Sequence, residues 1–148
     1  MPLPSPSELK TALLDGGFEV YRSVGTRVIL ADRVRDNLIM DSGVSAALDE
    51  SGLSVRVVLH AQSRDFPGES PDSLYERTTR LATAARERGY QESQRQTVPI
   101  LDPGDRSHTL DTWYEIAYER RVSDLGELTI EVRFAMGLEK AASPGTPG

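Results

Sequence analysis

The sequence predicts an α+β fold: a two-layer domain with an antiparallel sheet and two helices on one face, built as two α-then-β halves. The first observation behind this is a phrase that occurs twice. Ser-Pro opens a helical stretch, then Gly and an aromatic residue lead into an extended one. It runs from Ser5-Pro6-Ser7-Glu8 to Gly17-Phe18-Glu19-Val20, and again from Ser70-Pro71-Asp72-Ser73 to Gly89-Tyr90-Gln91-Glu92. Serine accepts from free N–H groups at a helix start, proline fits the first turn, and glycine ends the helix without a Cβ penalty. The second observation is period-two alternation of apolar and polar residues in several stretches. The third is composition: 148 residues, 38% hydrophobic and 27% charged, enough for one ordinary core.

Taken in order, residues 1–4 read as a tail. A helix is expected over 6–15, with Leu9, Ala12 and Leu13 inward, and Ser5 and Glu8 at capping-box spacing. Phe18, Val20 and Val24 alternate with polar residues as a strand would. The stretch 31–40 fits a helical stripe or a short buried strand, and Asp41-Ser42-Gly43 and Asp49-Glu50-Ser51-Gly52 carry turn chemistry. Leu53, Val55, Val57, Leu59 and Ala61 mark one face of a strand, opposite Ser54, Arg56, Val58 and His60. A second helix is expected over 71–88, with Leu74, Thr78, Leu81 and Ala85 inward.

The stretch Tyr90–Val98 is polar on both faces and is followed by Pro99, the mark of an edge strand or of one completed by another chain. A loop from Leu101 to Leu110 then leads to two strands. Tyr114, Ile116, Tyr118 and Val122 face inward on the first; Leu128, Ile130, Val132, Phe134 and Met136 face inward on the second. Their outer face would carry Arg56, His60, Glu115, Glu119, Arg121, Glu131 and Arg133. Residues 5–140 form the single domain, and 141–148, Ala-Ala-Ser-Pro-Gly-Thr-Pro-Gly, form a disordered tail.

Composition restricts function. The net charge is −6, so a phosphate backbone is repelled unless basic residues cluster. Arg77, Arg80, Arg86 and Arg88 come nearest, but Asp72, Glu76 and Glu87 lie among them, which reads as a solvated helix face. No nucleic-acid partner and no membrane association are expected. The opening Met1-Pro2-Leu3-Pro4-Ser5 lacks the basic and apolar regions of a secretory signal, and a cytoplasmic location is the default expectation. The absence of cysteine excludes disulfides and thiolate chemistry.

Candidate chemistry is thin. Asp102, Asp105, His108 and Asp111 place three carboxylates and an imidazole in one stretch, which could serve a hard cation through oxygen ligands. Their three-residue spacing fails the calcium-loop pattern, and Asp-Pro-Gly-Asp is ordinary turn chemistry. His60 and His108 are the only histidines. Ser42 or Ser107 with Asp41 or Asp111 would complete a triad only if the fold assembled it, and Ser42 lacks the Gly-x-Ser-x-Gly elbow. No phosphate-binding glycine loop is present. Neither a cofactor nor a metal is expected.

The element order, size and acidity over about residues 5–137 are similar to those of small bacterial secretion chaperones. The resemblance implies a compact, non-catalytic, usually dimeric protein. The function expected is a protein-interaction module, chaperone-like, an adaptor or an assembly subunit, with a protein partner or a second copy as ligand. Tyr90, Gln94, Trp113, Glu115 and Arg133 are its candidate contact residues. The alternative is a small metal- or ligand-dependent enzyme or binder built on the Asp102–Asp111 loop.

Overall fold

Ser5 opens the first helix as its spacing predicts. Its hydroxyl accepts from the Glu8 N–H at 3.1 Å, and the Glu8 carboxylate accepts from the Ser5 N–H at 3.0 Å. The structure, a computed structural model, describes residues 3–142. The elements are α1 (Pro6–Asp15), β1 (Val20–Val24), β2 (Arg27–Arg35), β3 (Leu38–Asp49), β4 (Gly52–Gln62), a short 3-10 turn at Ser63–Asp65, α2 (Pro71–Leu81), α3 (Thr83–Glu87), β5 (Gln91–Asp102), β6 (Asp105–Val122) and α4 (Leu125–Ala142). Six strands form one antiparallel sheet in the order β1-β2-β3-β4-β6-β5. The α+β class is therefore as predicted, with four α-helices among the described residues rather than two.

The chain divides into two compact units, 1–57 with 119–148, and 58–118. In the first unit, β2 and β3 form a long antiparallel pair, and the ambiguous stretch 31–40 belongs to it. Asp41-Ser42-Gly43 is a bulge inside β3 rather than a turn. The β2–β3 register shifts between Ile29 and Ala31, and Gly43 takes φ +82° while its N–H donates to the Asp41 carboxylate at 2.8 Å. Val28, Leu30, Val44, Ala46, Leu48, Leu53, Val55 and Val57 are buried, together with Leu9 and Leu13 of α1. The helix α4 packs against β3 and α1.

The largest correction concerns 125–142, where the sequence reading placed a strand from Leu128 to Met136. The segment is helical. Asp124 caps it, accepting from the Glu127 N–H at 2.8 Å, and the Glu127 carboxylate accepts from the Ser123 N–H at 2.7 Å. Leu128, Val132 and Ala135 form the buried stripe, at spacings of four and three, with Glu131 buried beside them. Ile130, expected inside, is 57% exposed. Arg133 and Glu131 consequently leave the outer sheet face to which they were assigned. Arg133 donates to the Gly16 carbonyl at 3.0 Å and lies over the Phe18 ring, and Glu131 pairs with Arg120 at 2.8 Å.

In the second unit, Ser70 caps α2, its hydroxyl accepting from the Ser73 N–H at 3.1 Å. The expected single helix over 71–88 is two pieces. At Ala82 the N–H turns to the Thr79 and Arg80 carbonyls, and the Thr83 hydroxyl donates to the Arg80 carbonyl at 2.8 Å, which tightens the turn. Leu74, Ala82 and Ala85 pack inward with Ile116 and Tyr118 of β6, and the Thr78 hydroxyl donates to the Tyr114 carbonyl at 2.9 Å. The stretch Leu101–Leu110, expected as a loop, is the close of a hairpin. β5 runs on through Pro99 to Asp102, and β6 resumes at Asp105. Proline is accepted there because β5 ends the sheet.

Residues 1–2 and 143–148 lie outside the described residues, and α4 takes in 141 and 142.

Candidate functional site

The strand β5 is the last in the sheet, bonded to β6 on one side only. Its first seven residues, Gln91 to Thr97, are all exposed. Side chains on the helix side tie it to α2: the Tyr75 and Thr97 hydroxyls meet at 2.7 Å, and the Arg95 guanidinium lies over the Tyr75 ring. On the other side the Gln96 amide donates to the Glu115 carboxylate at 2.9 Å. Gln94 lies in the middle of this run. The backbone of an end strand presents unpaired N–H and C=O groups on its free side.

Beside this edge lies an open groove of about 720 Å³. Thr79, Thr83, Arg86 and Glu87 form the helical wall; Gln91, Glu92 and Arg95 form the wall from β5. Tyr90 and Tyr118 close it from within, 2% and 1% exposed. Tyr90 was expected as a contact residue; its ring is turned inward and offers a partner no broad face. The Tyr118 hydroxyl is buried beside the Thr79 hydroxyl, which itself donates to the Tyr75 carbonyl at 3.0 Å. Burial pushes the Tyr118 pKa up; the Thr79 hydroxyl, Arg86 and Arg95 work against that, and Glu92 adds to the rise. Arg95 is held by Glu92 at 2.8 Å, whereas Arg86 has no ion-pair partner among the described residues.

On the opposite face of the second unit, Trp113 stacks on His60, with ring centroids 4.1 Å apart and planes 5° from parallel. The Trp113 indole N–H donates to the Asp111 carboxylate at 3.2 Å. Burial holds the His60 pKa below its ordinary value, against the attraction of Glu115, Asp111 and Asp65. In the first unit, the Arg27 guanidinium donates to the Ser45 hydroxyl at 2.8 Å, the Ser54 hydroxyl donates to Glu119 at 3.0 Å, and Arg27 and Arg56 flank that one carboxylate at 3.7 and 3.9 Å. Burial and the neighbouring Arg56 lower the Arg27 pKa, with Glu119 opposing.

The four residues of the alternative site are put to separate uses. Asp102 accepts from the Gly104 N–H at 2.8 Å, which is the turn chemistry its sequence suggests. Asp105 binds the Ser107 N–H and hydroxyl, and His108 is exposed on β6. Asp111 is buried and accepts from the Ser63 hydroxyl, the Arg64 N–H, the Thr112 N–H and the Trp113 indole. Burial acts to raise its pKa, but these four donors together outweigh burial and hold it low. Among the described residues no three His, Cys, Asp or Glu side chains are grouped as a metal site. The triad options fare the same way: the Ser42 hydroxyl donates to the Leu30 carbonyl, and no described serine hydrogen-bonds either histidine.

The edge position of β5 is legible in the sequence, whereas the groove is not. Its one signal was the spacing of Thr79, Thr83 and Arg86, which repeats at four and three residues along one side of a helix.

No family model matches the chain, and neither a curated protein nor a solved structure proves similar to it. Among the described residues no helix is long and apolar enough to cross a membrane.

Proposed function

We propose that this chain is a non-enzymatic protein-interaction module of the cytoplasm, chaperone-like or serving as an adaptor or assembly subunit, which takes up an extended strand from a protein partner or a second copy along β5. The observation that carries this is the open edge: seven successive exposed residues on the terminal strand of the sheet. Side-chain burial does not explain why so polar a stretch holds an extended form; backbone pairing does, and an edge so disposed can pair again on its free side. The two-layer arrangement and the origin of the sheet in two α-then-β halves belong to the same proposal, with the repeated Ser-Pro caps as their support.

Proline substitution tests it. On an edge strand, successive N–H groups point alternately toward the neighbouring strand and toward solvent. Of Ser93→Pro and Gln94→Pro, one therefore breaks a β5–β6 bond and the other removes an outward donor. The expected result is that the variant keeping the wild-type melting temperature loses association, read by sedimentation equilibrium and by hydrogen exchange at Gln91–Thr97 in the complex. A wild-type chain that sediments as a monomer at high micromolar concentration, and whose edge amides no bound protein protects, removes the proposal's support.

A further inference from the structure

We propose that β5 takes up a second copy of itself: two chains pair antiparallel along Gln91–Thr97 about a two-fold axis at Gln94. This rests on strand addition at β5 and goes beyond it by naming the partner and the register.

Pro99 fixes which way the donors of β5 point. It lies inside a strand bonded to β6 on one side only. Such a proline is accommodated where its missing N–H would have pointed away from the neighbouring strand. Alternation is unbroken back from it: Thr97 and Arg95 both meet Tyr75 on the helix side, and Gln96 between them meets Glu115 on the other. The odd-numbered residues of β5 therefore carry the outward N–H and C=O groups, and the even-numbered ones bond to β6.

A two-fold axis that continues a sheet across two antiparallel edges stands perpendicular to it, so odd residues meet odd ones and the axis falls on a residue. At Glu92 it would set two carboxylates face to face, and at Arg95 two guanidiniums; like charges directly opposite are destabilising. At Ser93 the outward groups of Thr97 would meet only Gly89, which lies outside β5. At Gln94 every outward group from Gln91 to Thr97 finds a partner: Gln91 exchanges bonds with Thr97 of the second copy, and Ser93 with its Arg95. Glu92 then faces Gln96, and Gln94 faces its own equivalent, so no like charges stand opposite. Each Arg95 keeps Glu92 of its own chain at 2.8 Å. Pro99, without an N–H to offer, marks where the ladder stops. The opposite end of the sheet is a poorer edge. β1 spans only Val20–Val24, and its pairing with β2 is interrupted between Val20 and Arg22, an irregularity that blunts an edge.

The full chain has no cysteine, so single substitutions report the register directly. Even residues form the closer, non-hydrogen-bonded pairs, with Cα atoms about 4.5 Å apart, within the span of a disulfide. The wild type is expected to sediment as a dimer. Under mild oxidation Gln94→Cys should link to itself, and Glu92→Cys should link to Gln96→Cys in a mixture but not to itself. Each expected link should form about tenfold faster than that of Ser51→Cys, an exposed turn residue that meets its equivalent only by collision. A dimer in which none of these thiols outpaces Ser51→Cys, or in which Glu92→Cys links best to itself, overturns the inference. A monomer at high micromolar concentration overturns it too. Strand addition then stands if a capped, Thr-rich extended peptide shifts the amides of Gln91–Thr97 in the nitrogen-15-labelled chain. If no such peptide binds at millimolar concentration, both fail together.

Discussion

His60 and Trp113 form a parallel stack on the face of the sheet away from α2, their ring centroids 4.1 Å apart. Cross-strand aromatic pairs of this kind stabilise neighbouring strands beyond the area they bury. Here the pair also couples a titratable ring to the chain's only tryptophan. Burial depresses the His60 pKa from 6.5, so the folded state binds its proton less readily than the unfolded chain does. The sign follows: the contribution is fully present above about pH 6.5 and is lost as pH falls from there through the lower, folded value. Stability measured by urea unfolding should therefore decline from pH 7 to pH 5 in the wild type and stay flatter in His60→Gln. Tryptophan emission should titrate with a midpoint below 6.5 in the wild type and not in the variant. An identical pH slope in both proteins would mean that His60 is not held neutral by its surroundings.

Asp111 does structural work that its neighbours in sequence do not. Its carboxylate gathers four donors from the turn after β4 and the body of β6, two of them backbone N–H groups. Asp111→Ala leaves these donors without their acceptor, which costs about 1–3 kcal/mol for each buried group that water does not reach. A loss of about 3 kcal/mol is expected. Asp102→Ala, at the exposed turn, should cost less than about 1 kcal/mol. Because the Asp111 pKa is held below 3.8, its share of stability is present above that value and disappears as pH falls through the folded one. Denaturant unfolding of both variants at pH 7 settles the contrast, and equal losses would remove the special role of Asp111.

Local chemistry made the starts of α1 and α2 legible. The Ser5–Glu8 and Ser70–Ser73 contacts are short-range, so four residues of sequence suffice to specify them. The central strand β4 was legible because its alternation from Leu53 to Ala61 is uninterrupted. Gly43 misled because aspartate, serine and glycine encode a bulge as readily as a turn, and only pairing with β2 distinguishes them. Around Asp102 the turn was read correctly but drawn too long, since strand pairing on both sides of Pro103-Gly104 is a tertiary property. At the candidate site, β5 showed itself by polarity, whereas the groove depends on where Tyr118 ends beneath Thr79 and Arg86, residues some thirty or forty positions away.

The helix α4 is the clearest failure of alternation as a guide. Apolar residues at 128, 130, 132, 134 and 136 satisfy a strand, but 128, 132 and 135 also satisfy a helix. The deciding signal was Asp124 with Glu127, the same cap spacing that was credited at Ser5 and Glu8. The two readings disagree sharply at one pair of residues. In a strand Ile130 and Val132 point the same way and both are core. In the helix they lie 200° apart by the ordinary turn of 100° per residue, and only Val132 is buried. Val132→Ala should therefore cost about 2 kcal/mol through lost burial and a residual cavity, and Ile130→Ala should change stability by less than about 0.5 kcal/mol. Thermal and urea unfolding of the two single variants decide between the readings, and comparable losses at both sites would return the segment to the sheet.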